Sequence, residues 1–541
     1  MFRRISKIWH GETNGLTTAA FIVGAASMAS RLVGVLRDRV LASTFGAGNT
    51  LDAYYAAFRV PDFLYNLIIL GALSAGFIPV FAEYLETRNK HEAWRLAEQV
   101  LSVVGALMAA TCVLLAAFAP VLIPLTVPGF SPEKMELTIR LSRIIFLSPF
   151  LLGLSAVMGG ILQATRRFVA FSLAPVCYNL GIIFGAWFLA PKIGIEGVAW
   201  GVIIGAFLHL AVQASVAFKL GLRRIPFPSF SHSGVRRILR LMAPRTVGLA
   251  VSQFNLVVLL GIASTLATGS VAVFNLANNL QSFPVGIIGV SFAVAAFPLL
   301  SRAASLSRKE EFLETLASAA KKIMFLIIPV SLLFILLRAQ IVRAVLGAGE
   351  FDWNDTIRTA TVLGIFTTSL LGQSLVPLIA RAFYAQQNTR TPLWAGVTSE
   401  IVNVVLAFSL RDSLGITGLA VAFSVATYVN LIVLWWKLKR MYGSATGSHL
   451  WRSFFTTLVA SIAGMAAAYP VRQWIGTVYP LRTFLQIALQ GGATAFVMLV
   501  VFLFAAFLLR SEELELFRRA LNRRMFKIKP VVEGAEEAQG I

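Results

Sequence analysis

Charge is scarce in this chain. Asp, Glu, Lys and Arg make up 13% of the 541 residues, about half the ~25% usual in soluble domains. That scarcity excludes an ordinary soluble fold. Acidic residues are the scarcer kind, 25 against 47 Lys and Arg, and the net charge is +22. The basic residues form no single patch; they fall between apolar runs, which argues against a nucleic-acid partner and for membrane topology. Cysteine is almost absent, and Cys112 and Cys177 both lie inside apolar segments, so neither a disulfide framework nor a thiolate metal cluster is expected. None of the five His sits in an HExxH pattern, there is no GxxxxGK[ST] loop, and no two carboxylates are placed to share a pocket. The chain is therefore expected not to be an enzyme, not to hydrolyse ATP and to need no cofactor beyond a coupling cation.

What is plentiful is apolar sequence. The chain is 57% hydrophobic, with a mean hydropathy of +0.77. Apolar windows long enough to cross a bilayer recur from end to end. They predict an all-α polytopic membrane protein with about 14 spans, near 15–40, 50–83, 97–124, 136–164, 168–190, 196–220, 240–266, 269–301, 316–345, 356–386, 391–410, 416–438, 450–471 and 483–510. The start, MFRRISKIWH, mimics a signal peptide, but the apolar run after it continues to span length and reads as an uncleaved first helix. With the N-terminus inside, roughly 32 Lys and Arg fall in cytoplasmic segments and roughly seven in external loops, Lys134 among the latter. Both termini are expected on the cytoplasmic side of a bacterial inner membrane.

The chain repeats itself. KIGIEGVAWG at 192–201 resembles SLGITGLAVA at 413–422, and Gly418 follows Gly197 by 221 residues. GILQATRRF against RAFYAQQNT, and FGAGNTLDAYYAAF against LATGSVAVFNLANN, match at a similar offset. An even number of spans per repeat gives parallel repeats, with a cavity between them and rocking as the means of alternating access. The expected organisation is an N-terminal lobe at 1–220, a linker at 221–240, a C-terminal lobe at 241–442, two further helices at 443–510 and a cytoplasmic amphipathic tail at 511–541. The linker and tail mix apolar and basic residues in a way that suits the anionic leaflet surface.

Charges inside the spans single out the candidate site, because each costs roughly 3 kcal/mol to insert. The first span carries Arg31, Arg37, Asp38 and Arg39; the second carries Asp52, Arg59 and Asp62. Arg31 and Arg37 differ by about 120° around a helix, so both can line one broad cavity, although Arg37 to Arg39 also read as residues snorkelling at the helix end. Arginine grips phosphate with a planar fork, and the cargo is expected to be a phosphorylated anion. Asp52 either orients an arginine or caps the second span. Arg245 beside Pro244 either adds to the cavity or snorkels. Asn275, Asn278, Asn279 and Gln281 give the eighth span a polar face that bonds cargo or joins helices. Glu400, with Thr398, Ser399 and Asn403 near it, suits a sodium or proton site, the alternative being a pairing with a neighbouring helix.

The stretches SRLVGVLRDRVLASTFGAG, LDAYYAAFRVP, GALSAGFIPVFAEY, VPGF, SVAVFNLANNLQSFPVGIIGVSFAVAAFPLLS and FYAQQNTRTP resemble the MurJ (MviN) family of lipid II flippases in the MOP exporter superfamily. The resemblance runs from about residue 17 to 510. It implies a V-shaped fold with a cationic cavity lined by spans one, two, seven and eight, and a groove for the lipid tail formed by spans thirteen and fourteen. The implied function is movement of the undecaprenyl-diphosphate-linked peptidoglycan precursor to the outer leaflet, with membrane lipids as surroundings and a monomer as the working unit. Arg31, Arg37 and Asp52 fall on family positions. The family's LRRxxxEGA pattern is YNLIILGA here, with Tyr65, Asn66 and Leu70, and its eighth-span ADR is ANN, with Asn278 and Asn279. Arg59 and Arg245 are the candidates to compensate. The alternative readings are export of another polyprenyl-linked oligosaccharide or of amphipathic drugs, an intramembrane enzyme acting on the same lipid, and a scaffold that transports nothing.

Overall fold

The computed structural model describes residues 16–70, 76–87, 89–223, 226–443, 448–479 and 483–525. Among the described residues every regular element is a helix. Among the described residues, ten helices are long and apolar enough to cross a membrane, or eleven if the bent pair Trp353–Thr368 and Leu370–Ala385 is one span. Leu16–Phe45 and Ser233–Ser264 are helices on the first and seventh predicted spans, and the second predicted span is broken.

That break has a local cause. The segment predicted as one span runs as Asn49–Ala57, then Arg59–Tyr65, then a wide π turn at Asn66–Leu70. Pro61 has no N–H to return to the carbonyl four residues back, at Ala57. The Ser142 hydroxyl lies 3.4 Å from that carbonyl and shares its proton with the Thr138 carbonyl at 2.8 Å. Another π turn, Val285–Val290, follows Pro284 in the eighth span. It lies at nearly the offset of the sequence repeat from Asn66–Leu70, while a further π segment falls at Gly185–Leu189.

The described chain forms two compact units. The first comprises residues 1–283, 341–366 and 393–430; the second comprises 284–340, 367–392 and 431–541. In the first unit, Phe168–Phe184 and its π continuation pack on Ile195–Leu220 through glycine. A Cβ on Gly181 would sit 2.2 Å from the Gly205 Cα, and one on Gly201 would sit 2.7 Å from the Gly185 Cα. Glycines at four-residue spacing let two membrane helices approach backbone to backbone, so dispersion replaces the hydrophobic drive that lipid does not supply. In the same unit one continuous core runs from Ala56 through Phe81, Met108 and Ile161 to Val271 and Ala422.

In the second unit, Phe325, Ala460, Phe502 and Ala506 form the buried contact between Lys309–Leu336 and the last two long helices. The amphipathic helix Glu512–Met525 closes back on this bundle. Lys321 Nζ lies 2.8 Å from Glu512, and the buried Glu513 accepts from the Ser453 and Ser511 hydroxyls at 2.7 Å each. The tail, expected from the sequence to lie on the membrane surface, is at the start of this helix fastened to protein.

Candidate functional site

The first helix supplies a chain of polar contacts inside the first unit. Arg37 Nε and Nη2 donate to Asp38 Oδ1 at 3.0 and 2.7 Å, and Arg37 Nη1 donates to Asn179 Oδ1 at 3.0 Å. The other Asp38 oxygen accepts from Asn279 Nδ2 at 2.9 Å. Arg37 is therefore not a snorkelling residue, and Asp38 is its partner. Asn279 enters this network from the eighth span, whereas Asn278 turns to its own helix and accepts from Gln281 Nε2 at 3.0 Å. Arg39 points elsewhere: its Nη1 donates to the carbonyls of Ala344 and Val345 at 2.7 and 3.0 Å, closing the end of the helix Arg338–Leu346. Arg31 is exposed.

Next to Arg37 lies a cavity of about 140 Å³, lined among others by Tyr54, Tyr55, Arg59, Asp62, Tyr178 and Asn275. Arg59 opens the short helix after the break at Phe58. Its Nη2 donates to Asn275 Oδ1 at 3.2 Å, its Nε is buried without an acceptor, and among the described residues no carboxylate lies within ion-pair distance. The buried Tyr55 hydroxyl is likewise without a partner. Asp62 is exposed toward this space, and its carboxylate makes no hydrogen bond or ion pair among the described residues. Sequence reasoning placed Asp62 in the second span but did not assign it to the site. Its position three residues after Arg59, one helical turn on, was the available signal. Tyr54, Tyr178 and Asn179 carried no such signal.

Asp52 corrects an expectation. It neither orients an arginine nor caps its own helix. Its Oδ2 lies 2.6 Å from Lys134 Nζ and accepts from the Gly269 N–H at 2.8 Å, while Oδ1 accepts from the Ala272 N–H at 2.7 Å. It thus caps the beginning of the eighth span, where backbone N–H groups lack helical partners. Lys134, read as a loop charge from the sequence, is 9% exposed and also lies 4.0 Å from the Phe130 ring centre. The physical reason is proximity that the sequence spacing hides: a carboxylate buried to 2% exposure takes the nearest cation and the open helix end. Beside it the turn at 46–48 docks closely. Gly269, at φ +83°, sits where a Cβ would lie 1.9 Å from the Ala47 carbonyl oxygen, so both its conformation and its contact require glycine. Ala47 N–H donates to Asp355 at 2.9 Å and Glu350 N–H to the Ser43 carbonyl at 2.9 Å.

A second polar cluster centres on Glu400. Asn255 Nδ2 donates to Glu400 Oε2 in a short hydrogen bond, and Asn403 also bonds the carboxylate. Asn255 and Asn403 are 6% and 2% exposed, and the Oδ1 of each is buried without a donor. Asn255 was not foreseen. Thr398 does not belong to the cluster: it is exposed, and its hydroxyl donates to the Trp394 carbonyl at 2.9 Å. Two residues along a helix turn the side chain about 200° away. Ser399 Oγ donates to the Ala426 carbonyl at 2.7 Å. The side chains of Arg245 and Leu70 lie outside the described residues.

Long apolar helices with arginines held among them, around a small polar cavity, define a multi-pass membrane protein. The comparisons name the group. The family model for the lipid II flippase MurJ matches residues 41–487, and the chain belongs to that family. A probable lipid II flippase MurJ of Rhizobium tropici is 29% identical over 518 residues, covering 93% of this chain and 96% of its own. The lipid II flippase MurJ of Burkholderia cenocepacia is 28% identical over 461 residues, covering 83% and 89%. A solved lipid II flippase MurJ in an inward closed conformation superposes with a TM-score of 0.75 at 24% identity, over 94% of this chain and 100% of that one. An inward-facing MATE multidrug resistance transporter of the MOP superfamily reaches 0.67 at 19% identity, over 79% and 99%; these two likenesses show the shared fold.

Proposed function

We propose that this chain moves the polyprenyl-diphosphate-linked peptidoglycan precursor lipid II from the inner to the outer leaflet of the bacterial cytoplasmic membrane, without altering it chemically. The observation that carries the reading is Arg59, a guanidinium at a cavity with an unmet Nε and, among the described residues, no carboxylate in pairing distance. With Arg37 beside it, the cavity offers a planar donor fork for a diphosphate. Arg31, exposed on the same helix, and Arg245 meet the cargo on its way in. The Asp52–Lys134 lock and the glycine-tight turn at 46–48 close the outer end, and alternating access opens them. Spans thirteen and fourteen carry the lipid tail, both termini lie in the cytoplasm, and one copy of the chain suffices.

Glu400, Asn255 and Asn403 form the coupling site in this reading. One carboxylate and two buried amide oxygens without donors are an oxygen donor set that sodium would complete, and a proton on Glu400 is the other coupling ion of the right charge. The test is complementation of a bacterium depleted of its own lipid II flippase, with lipid II at the outer leaflet as readout. The native chain restores outer-leaflet lipid II and Arg59→Ala, at equal membrane level, does not. A well-expressed native chain that fails to rescue would move the cargo to another polyprenyl-linked glycan, with Tyr65, Leu70 and Asn279 as the first positions to revert.

A further inference from the structure

The cavity that holds the unpaired arginine also holds an unpaired carboxylate. Asp62 follows Arg59 by three residues on one short helix, lines the same 140 Å³ space, and makes no hydrogen bond or ion pair among the described residues. A free carboxylate within a membrane span is costly unless it has a task. The other groups facing it are Arg37, Arg59, Tyr54, Tyr65 and Tyr178. Arg37 is already neutralised by Asp38. The helix Leu147–Ala164, packed behind, carries no titratable residue. The charges of Pro132–Ile145 are engaged or exposed elsewhere, Lys134 on Asp52 and Arg140 on Glu136 and Glu196. On Ser233–Ser264, Arg236, Arg237 and Arg240 are exposed near its start. Arg59 is therefore the one described cation at the cavity without a carboxylate partner, and Asp62 is the one described carboxylate there without a cation.

We propose that Asp62 makes anion capture proton-linked: the arriving diphosphate takes Arg59, and Asp62 accepts a proton so that two like charges do not share the cavity. This rests on the reading of the cavity as the diphosphate site. The balance is simple. The diphosphate enters as a dianion, one proton moves from solvent to the Asp62 carboxylate, and no covalent bond of the cargo changes. Release of the cargo on the other side returns the proton to solvent there. Anion binding must then weaken as pH rises, by up to about tenfold per pH unit where the free protein's carboxylate is ionised.

The experiment is calorimetric titration of the full-length protein in nanodiscs with a short-prenyl lipid II analogue. The doubly esterified diphosphate of this probe has no titrating oxygen near neutral pH. Buffers of different ionisation enthalpy report protons taken up per ligand bound. The native protein takes up close to one proton, and its affinity falls as pH rises through neutrality. Asp62→Asn binds at least as tightly, takes up none and loses the pH slope. Native binding without proton uptake, or uptake undiminished in Asp62→Asn, overturns the proposal and leaves the cavity reading standing. Binding unchanged by Arg59→Ala together with Arg37→Ala, or no binding by the native protein, overturns both.

Discussion

Two polar clusters in the same unit use the same kinds of residue to opposite ends. Around Asp52 a carboxylate takes a lysine and two helix N–H groups as partners at 2.6 to 2.8 Å. Around Arg59 and Asp62 the guanidinium keeps an unmet Nε and the carboxylate has no partner among the described residues. A saturated buried network holds elements together, and a member removed from it leaves the rest stranded. An unsaturated one beside open space is an invitation to a ligand. The Arg37–Asp38 pair stands between these extremes, bonded to Asn179 and Asn279 on one side and open to the cavity on the other.

Substitutions sharpen that contrast. Asp52→Ala should have the largest effect on stability, about 3 to 5 kcal/mol, because Lys134 is left buried and unpaired. Thermal unfolding of the detergent-solubilised protein measures it, and adding Lys134→Met should recover much of the loss. Arg37→Ala should cost less, about 1 to 3 kcal/mol, since Asp38 keeps its bond from Asn279 while losing the guanidinium. It should also weaken binding of the lipid II analogue. Arg59→Ala should change stability least, by about 0.5 to 1.5 kcal/mol for the lost Asn275 bond, yet lower affinity for the analogue by roughly tenfold or more, the worth of a charge-assisted hydrogen bond. If Arg59→Ala unfolds the protein as readily as Asp52→Ala, the distinction between lock and ligand site is lost.

How much of this was legible beforehand differs from residue to residue. The helical class, the repeat and the polar interior of the first two spans were readable because a bilayer imposes a simple rule: apolar length crosses it, and charge inside must be used. The π turns at Asn66–Leu70 and Val285–Val290 fall after a proline, a signal present in the sequence, but the one at Gly185–Leu189 does not. Arg37 and Arg59 were identifiable as site candidates from charge alone. Asp52 and Lys134 were each visible, yet 82 residues of chain separate them, and no periodicity links a loop lysine to a carboxylate in another helix. Thr398 shows the reverse error: closeness in sequence to Glu400 suggested a shared site, and helix rotation puts it on the exposed face.

The sequence by itself determined that this chain lives in a membrane, that it is helical, that it is internally repeated and that it carries arginines where lipid would forbid idle ones. Those properties follow from composition and local periodicity. Tertiary structure alone decided which charges are spent on one another and which remain open. That choice depends on side-chain contacts between helices far apart in the chain: Asn279 reaching Asp38 and Gly269 reaching Asp52. Asp62 was left facing the same space as Arg59 with no partner of its own among the described residues. Pairing energies fall off within a few ångströms, so only the folded packing settles who is near enough to pair.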